Sequence, residues 1–467
     1  MPDALRQAIF SASDFVWGPW HTSVGPIPGP LMFLVILVGI FLTVRTGVVQ
    51  IRRFPEAVRT MIPKASAGAA GALTPLQAFM TALAASIGTG NIAGVATAVI
   101  SGGPGALFWI WAYGFVATAI KFAEAVLGIT FRKADANGSS SGPMYYLRDG
   151  LKSRWLAGTY ALIAGVAALV TTPFTQPNSM AVVLNSQFGV PKLASGIAIA
   201  VLTWLVVIGG VKAIGRAAEK LSPLKVGLYL AGGLFVILSH ASELPGVLAL
   251  VFREAFSLRA AAGSSLGIGI IVAMRYGVAR GIYANEAGYG TAAVAYGTAQ
   301  SRHPTQQGLN AVMEVFVVSF VTSSISALTI LVSGVAQQSI SMIRQGGEGL
   351  TSTALVAAAF NTSIPTVGGW TVAFCSFLFG YTTLIGWAYY GEQFLEYLFG
   401  RRIALPYRWA YCLLIPVGAT LSVETVWAWG DLLNGLQVIP NLVGLVGLSA
   451  LVGAAARART SGDEPTR

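Results

Sequence analysis

The sequence predicts an all-α, polytopic membrane protein. Three observations carry that prediction: composition, the spacing of apolar runs, and the side on which basic residues fall. Of 467 residues, 55% are hydrophobic and only 10% charged, with a mean hydropathy of +0.69. Soluble domains carry about 25% charged residues, so this chain is built for lipid. At roughly 20 apolar residues per crossing, the length allows about a dozen spans with short loops and no sizeable soluble domain. The 55 glycines fit this class, because small residues let membrane helices approach where lipid supplies no hydrophobic drive. The net charge of +11 would suggest nucleic acid in a soluble protein; here its placement matters more than its sum.

Taken in order, Met1 to Trp20 carries acids at Asp3 and Asp14 and lacks a basic start before a long apolar core, so it is not a secretory signal. Apolar runs read against breakers then predict eleven transmembrane helices, over about 30–48, 75–100, 104–131, 155–184, 193–210, 222–239, 265–300, 308–334, 366–398, 406–422 and 426–455. Assigning alternate loops to one side places 21 Lys and Arg there, including Lys64, Lys225 and Arg408. Five fall on the other side: Arg6, Lys192, Arg253, Arg259 and Arg344. That asymmetry predicts an external N-terminus and a cytoplasmic C-terminus in the plasma (inner) membrane. Cys375 and Cys412 sit in apolar runs without metal-ligand spacing, so neither a disulfide framework nor a metal site is predicted from them.

Two spans are interrupted. Ser86-Ile87-Gly88-Thr89-Gly90-Asn91-Ile92-Ala93-Gly94 breaks the second, and Tyr283-Ala284-Asn285-Glu286-Ala287-Gly288-Tyr289-Gly290-Thr291 breaks the seventh. A break in hydrocarbon frees backbone N–H and C=O groups, tolerated only where protein or a polar cavity receives them. The helix restarting near Asn91 aims N–H groups and a positive dipole end at the break, suited to a carboxylate, while the preceding carbonyls suit a cation. Gly88, Gly90 and Gly94 would serve equally as a small face for a packed neighbour. Setting the first span aside as peripheral leaves two groups of five, each opening with a broken helix. That is the pattern of an inverted-repeat transporter with a midplane site. The predicted organisation is 1–66, the N-terminal segment with the first helix and a basic cytoplasmic loop; 67–240 and 241–456, the two repeats; and 457–467, a cytoplasmic tail.

At these residues the chain resembles the alanine or glycine:cation symporter family. The matching stretches are Leu73-Thr74-Pro75, Gly88 to Ala98, Gly102 to Gly105, Lys121-Phe122-Ala123-Glu124, Gly142 to Tyr146, Gln176-Pro177-Asn178-Ser179, Asn285 to Gly290, and Gly386 to Glu392. Pro177, Thr291 and Tyr296-Gly297-Thr298 depart from the family pattern. The resemblance implies the ten-helix core shared with neurotransmitter:sodium symporters, uptake of alanine or glycine, and Na+ as coupling ion. Proton coupling is the alternative, and an ion channel or intramembrane enzyme fits less well. The two breaks differ, and the chain lacks a Gly-x-Ser-x-Gly elbow or a His-Glu-x-x-His pair.

The expected partners are thus a small neutral amino acid, sodium and the lipid bilayer. Thr89, Gly90 and Asn91 are expected to hold the substrate carboxylate through backbone N–H groups. Tyr283, Ala284 and Asn285 are expected to offer carbonyls and an amide to the ammonium or ion. Ala84 and Ile87 carbonyls with the Thr382 and Thr383 hydroxyls are implied sodium ligands, neutral oxygens of the kind a hard cation takes. Of two amides in one apolar span, Gln176 rather than Asn178 is assigned to the site, and Trp387 is assigned to its wall. Intramembrane charges need partners: Glu124, three residues from Lys121, is expected to pair with it, and Glu286 to brace the second break, with cation binding or proton carriage as its alternatives.

Overall fold

A computed structural model describes residues 3–458, apart from 19, 23–24, 28, 60, 62–68, 70, 136–137 and 258–267. Lys64, Arg259, Arg459 and Arg467, used in the charge alternation, and the 66/67 boundary lie outside the described residues.

The chain is almost wholly helical. Its main helices are α1 (Asp3–Trp17), α2 (Pro30–Arg45), α3 (Pro75–Ser86), α4 (Ala93–Gly102), α5 (Ala106–Thr130), α6 (Arg154–Val170), α7 (Thr172–Phe188), α8 (Lys192–Val207), α9 (Gly210–Ser239) and α10 (Leu244–Ala255). They continue as α11 (Ile268–Asn285), α12 (Thr291–Gly297), α13 (Pro304–Val315), α14 (Ser323–Val332), α15 (Val335–Arg344), α16 (Ser352–Asn361), α17 (Val367–Phe399), α18 (Ala404–Thr420), α19 (Val423–Gly447) and α20 (Ser449–Arg457). Two antiparallel hairpins are the strand structure of the described residues: Trp20–Thr22 with Gly25–Ile27, and Lys133–Asp135 with Gly138–Ser140.

Every predicted run has a helical counterpart, but not every counterpart is a full-length crossing. Five helical segments of the described residues are long and apolar enough to span a membrane alone: Ala106–Thr130, Arg154–Phe188, Gly210–Ser239, Pro304–Val332 and Val367–Phe399. Two bent pairs raise this to seven, Pro75–Ser86 with Thr89–Gly102 at 55° and Val423–Gly447 with Ser449–Arg457 at 63°. α2 and α8 have 16 residues each and α18 has 17. Unforeseen by the sequence pattern are α1, α10, α15 and α16, which are short helices beside the longer ones.

Local chemistry sets the start of the helix that matters most. Thr74 Oγ1 accepts the Gln77 N–H, Gln77 Oε1 accepts the Thr74 N–H, both at 3.2 Å, and Pro75 opens the helix. This is a capping box with proline where its missing N–H costs nothing. The interior is close-packed through small residues. A Cβ on Gly128 of α5 would lie 2.4 Å from the Ala293 carbonyl of α12, and one on Gly277 of α11 would lie 2.5 Å from that of Ala106. Backbone contact at this range clamps α5 against both halves of the second broken helix.

Candidate transport site

A helix end leaves carbonyls without intrahelical donors, and in a membrane interior each must find a partner. At the first break every one does. Thr383 Oγ1 reaches Ala84 O and Ala85 O at 3.0 and 2.9 Å. Asn91 Nδ2 donates to Ser86 O at 2.9 Å. Lys225 Nζ donates to Ala84 O at 3.1 Å, to Ile87 O at 2.6 Å and to Thr382 Oγ1 at 2.6 Å. Beyond the break, Thr89 to Asn91 form one 3₁₀ turn before α4. The N–H and Oγ–H of Thr89 both donate to Gln176 Oε1 at 2.9 Å.

The second break is received the same way by different residues. Glu286, Gly288 and Gly290 have φ of +55°, +97° and +84°, which glycine adopts freely and glutamate does not. Glu124 Oε1 accepts the N–H of Gly288 at 2.8 Å and of Gly290 at 3.0 Å, together with Asn441 Nδ2 at 2.8 Å. The carbonyls of residues 285, 287, 288 and 289 receive Lys121 Nζ, Tyr113 OH, Asn441 Nδ2 and Tyr160 OH respectively, at 2.6 to 2.9 Å. Lys121 Nζ also donates to Ser86 Oγ at 2.8 Å and pairs with Glu314 at 2.5 Å. Glu314 further accepts Ser86 Oγ–H and Tyr296 OH. One buried ammonium thus ties both breaks together.

Between the breaks lies a cavity lined by Ala85, Ser86, Gly88, Gly90, Thr172, Gln176, Tyr283, Glu286, Tyr289, Thr383, Trp387 and Asn434. It is closely walled, with about 10 Å³ open to the centre of a water molecule, so an amino acid enters only as these side chains draw back. Trp387 Nε1 donates to Glu286 Oε1 at 2.5 Å, and Thr291 Oγ1 to Glu286 Oε2 at 2.8 Å. Tyr283 packs edge-on to Trp427 at 4.9 Å between ring centroids and hydrogen-bonds Thr175. The Arg280 guanidinium lies 4.4 Å from the Trp427 ring centre and pairs with Asp431. A larger pocket of about 370 Å³ beside the Glu392–Arg408 pair holds none of the expected site residues.

The structure brings Gly90, Gln176, Tyr283, Trp387 and Thr383 to the cavity wall and sets Thr89, Asn91, Ala284 and Asn285 behind it. Asn178 instead bridges to Gly418 O and Leu421 O. The Asn285 amide is spent on Gly281 O and Ser319, and its carbonyl on Lys121. Two expectations are corrected. The Lys121 ammonium bonds Glu314, not Glu124. Glu124, not Glu286, braces the second break through backbone N–H groups. The expected sodium ligands Ala84 O, Ile87 O and Thr382 Oγ1 lie around Lys225 Nζ, and the Thr383 hydroxyl is turned to carbonyls. Lys225 falls inside the predicted run 222–239, although the charge alternation counts it with the basic loop before that run; the helix begins at Gly210 and buries Lys225 completely.

Comparison with known proteins bears on what this geometry serves. A sequence model of the sodium:alanine symporter family matches residues 5–461. The sodium/alanine symporter AgcS of Methanococcus maripaludis is 38% identical over 448 residues, covering 95% of this chain and 94% of that protein. The probable sodium/glutamine symporter GlnT of Bacillus subtilis is 33% identical, covering 100% and 94%. The crystal structure of MhsT in complex with L-phenylalanine superposes with a TM-score of 0.59 at 15% identity, over 83% of this chain and 98% of that one. That likeness is one of fold.

Proposed function

Because the chain belongs to the sodium:alanine symporter family, we propose that it carries alanine or glycine into the cell together with sodium, by alternating access. It is an integral protein of the cell membrane and a transporter rather than an enzyme. The observation that carries the substrate reading is the cavity itself: both breaks wall it, and its lining sets two amides, three aromatic side chains and one carboxylate among small residues. The substrate carboxylate takes the N–H groups at Thr89 and Gly90, displacing the Gln176 oxygen that now caps Thr89. The substrate ammonium faces Glu286, whose carboxylate lines the same cavity. Trp387 stands beside the substrate side chain. Glutamine, named for one relative, is the second candidate.

Sodium in this reading binds oxygens other than the set already held by Lys225. Residues 67–240 and 241–456 form inverted repeats within an eleven-span chain whose N-terminus is external. With buried Lys225 removed, 20 basic residues remain on the proposed cytoplasmic side against five, which supports that orientation.

The test is uptake of labelled alanine, glycine and glutamine into proteoliposomes, with sodium and proton gradients varied separately. An inward sodium gradient should drive alanine or glycine accumulation. Equal uptake with choline in place of sodium removes the sodium reading, and uptake driven by a pH gradient alone makes Glu286 the leading proton carrier.

A further inference from the structure

We infer that Lys225 is the built-in cation of the first break, its ammonium occupying the seat among Ala84 O, Ile87 O and Thr382 Oγ1 that a coupling sodium would otherwise take. The inference rests on the sodium-coupled reading above and deepens it by assigning the occupant of this seat.

The donor set is that of a cation site rather than an ion pair. Lys121, the other buried lysine of the site, has a carboxylate partner in Glu314 at 2.5 Å. The hydrogen-bond partners of Lys225 are all neutral oxygens, two carbonyls and one hydroxyl, at 2.6 to 3.1 Å. Carbonyls only accept, and the Thr382 hydroxyl proton is directed to Ala84 O or Phe379 O. With the hydroxyl proton so placed, Nζ faces three acceptors, which matches the three donors of an ammonium. The face of the Phe379 ring, 5.2 Å from Nζ, adds the attraction of an aromatic quadrupole for a cation.

Lys225 is also held in register with the seat. Lys225 reaches it from α9, and one turn earlier Ser222 Oγ donates to Met80 O at 3.3 Å, which pins the same stretch of α9 against α3. A hard cation such as calcium takes oxygens at roughly 2.3–2.6 Å, so a metal ion and Nζ cannot share one centre bounded by the same three oxygens. While the lysine is seated, sodium is excluded from it. A tethered charge then serves the half-helix end that a diffusible ion would have to find afresh in every cycle.

The test compares the parent with Lys225→Ala, which opens the seat, and Lys225→Met, which fills it with an uncharged chain of similar length. Each is purified and reconstituted, then measured in sodium and in choline at equal ionic strength. The readouts are the melting temperature without substrate and the Hill coefficient for sodium in alanine uptake. For Lys225→Ala we expect a sodium-specific stabilisation larger than the parent's, as linkage requires of a new site, and a Hill coefficient raised by about one. Lys225→Met should show neither.

If Lys225→Ala folds only in sodium, that rescue supports the inference equally. Parental sodium dependence in a folded Lys225→Ala protein overturns it. So does loss of both variants in both salts, the result expected of a lysine that only braces the fold. Should the parent carry neither alanine nor glycine, the functional reading fails, while the melting comparison still reads the sodium seat by itself.

Discussion

Glu124 offers the sharpest separation between a brace and a bystander. Its Oε1 accepts three donors, Gly288 N–H, Gly290 N–H and Asn441 Nδ2, at 2.8 to 3.0 Å, and the residue is fully buried. Glu124→Leu removes the acceptor and leaves three buried donors unpaired, at about 1–3 kcal/mol each. The total, about 3–9 kcal/mol, is comparable to the whole stability of a typical domain at about 5–15 kcal/mol. Glu124→Gln keeps one oxygen for the donors. Its new NH₂ falls at Oε2, an atom without a hydrogen-bond partner among the described residues, so one group rather than three is left wanting. The expected order of melting temperature in detergent is parent, Gln, Leu, with alanine binding by the Leu protein lost even below its melting point. Gly288 and Gly290 lie in left-handed conformations, and Glu124 is the acceptor that receives the N–H groups of both. A Leu protein that melts with the parent and binds alanine normally refutes the bracing role.

Trp387→Ala should weaken alanine and glycine binding and improve valine and leucine relative to them. The effect should be moderate, since one methylene in an apolar pocket is worth about 1–3 kcal/mol; Trp387→Phe separates wall from hydrogen bond, because it keeps a ring but loses the donor to Glu286. Competition at fixed sodium reads the ranking, with folding checked separately because truncating a buried tryptophan costs about 3–5 kcal/mol, and an unchanged ranking in folded protein returns Trp387 to the core. Gly90→Leu should abolish binding in an inserted, folded protein, because a Cβ there would meet the Tyr283 ring at 2.7 Å and push it from the cavity; normal binding in calorimetry would count against this. Glu314→Gln strips buried Lys121 of its carboxylate, so a loss of about 3–5 kcal/mol is expected, with Glu314→Gln/Lys121→Met recovering part of it in a melting experiment.

The two breaks were legible in the sequence because breaking a helix demands residue types that nothing else in an apolar span requires. Gly288 and Gly290 adopt positive φ, and Asn91 caps the carbonyl five residues before it, a local job that a local motif announces. The identity of the partners across the molecule was not legible. Lys121 and Glu124 stand three apart, which states that they can meet on one helix face, not that they prefer each other. Glu314 and the N–H groups of the second break are the better partners, and no spacing within α5 reveals either. Lys225 was hidden differently. Counting basic residues by proximity groups Lys225 with Lys212, Arg216 and Lys220 at the edge of a span, although α9 carries all four on one continuous helix. A signal was present: Lys225 follows Pro223 inside what is otherwise apolar sequence, three residues into the predicted run.

The distribution of these bonds also says which parts of the site can move together. Lys121 and Glu124 belong to α5, Glu314 to α13, and their partners lie in α3, the second break and α19. Glycine-mediated backbone contact clamps α5 to α11 and α12 as well. Separating these elements would strand a buried ion pair and several backbone groups at once, a cost that favours the two broken helices moving together with α5 and α13 as one body. The bonds from the first break to Gln176 of α7, Lys225 of α9 and Thr383 of α17 are of another kind. Each runs from that body to the helices around it, and each has a replacement: a substrate carboxylate can take the Thr89 N–H from Gln176, and water entering an opened seat can take the carbonyls. On the alternating-access proposal, rocking of one bundle against another around a fixed site would part along Gln176, Lys225 and Thr383. The residues that join the breaks to each other stay bonded while those that join the first break to its surroundings exchange partners.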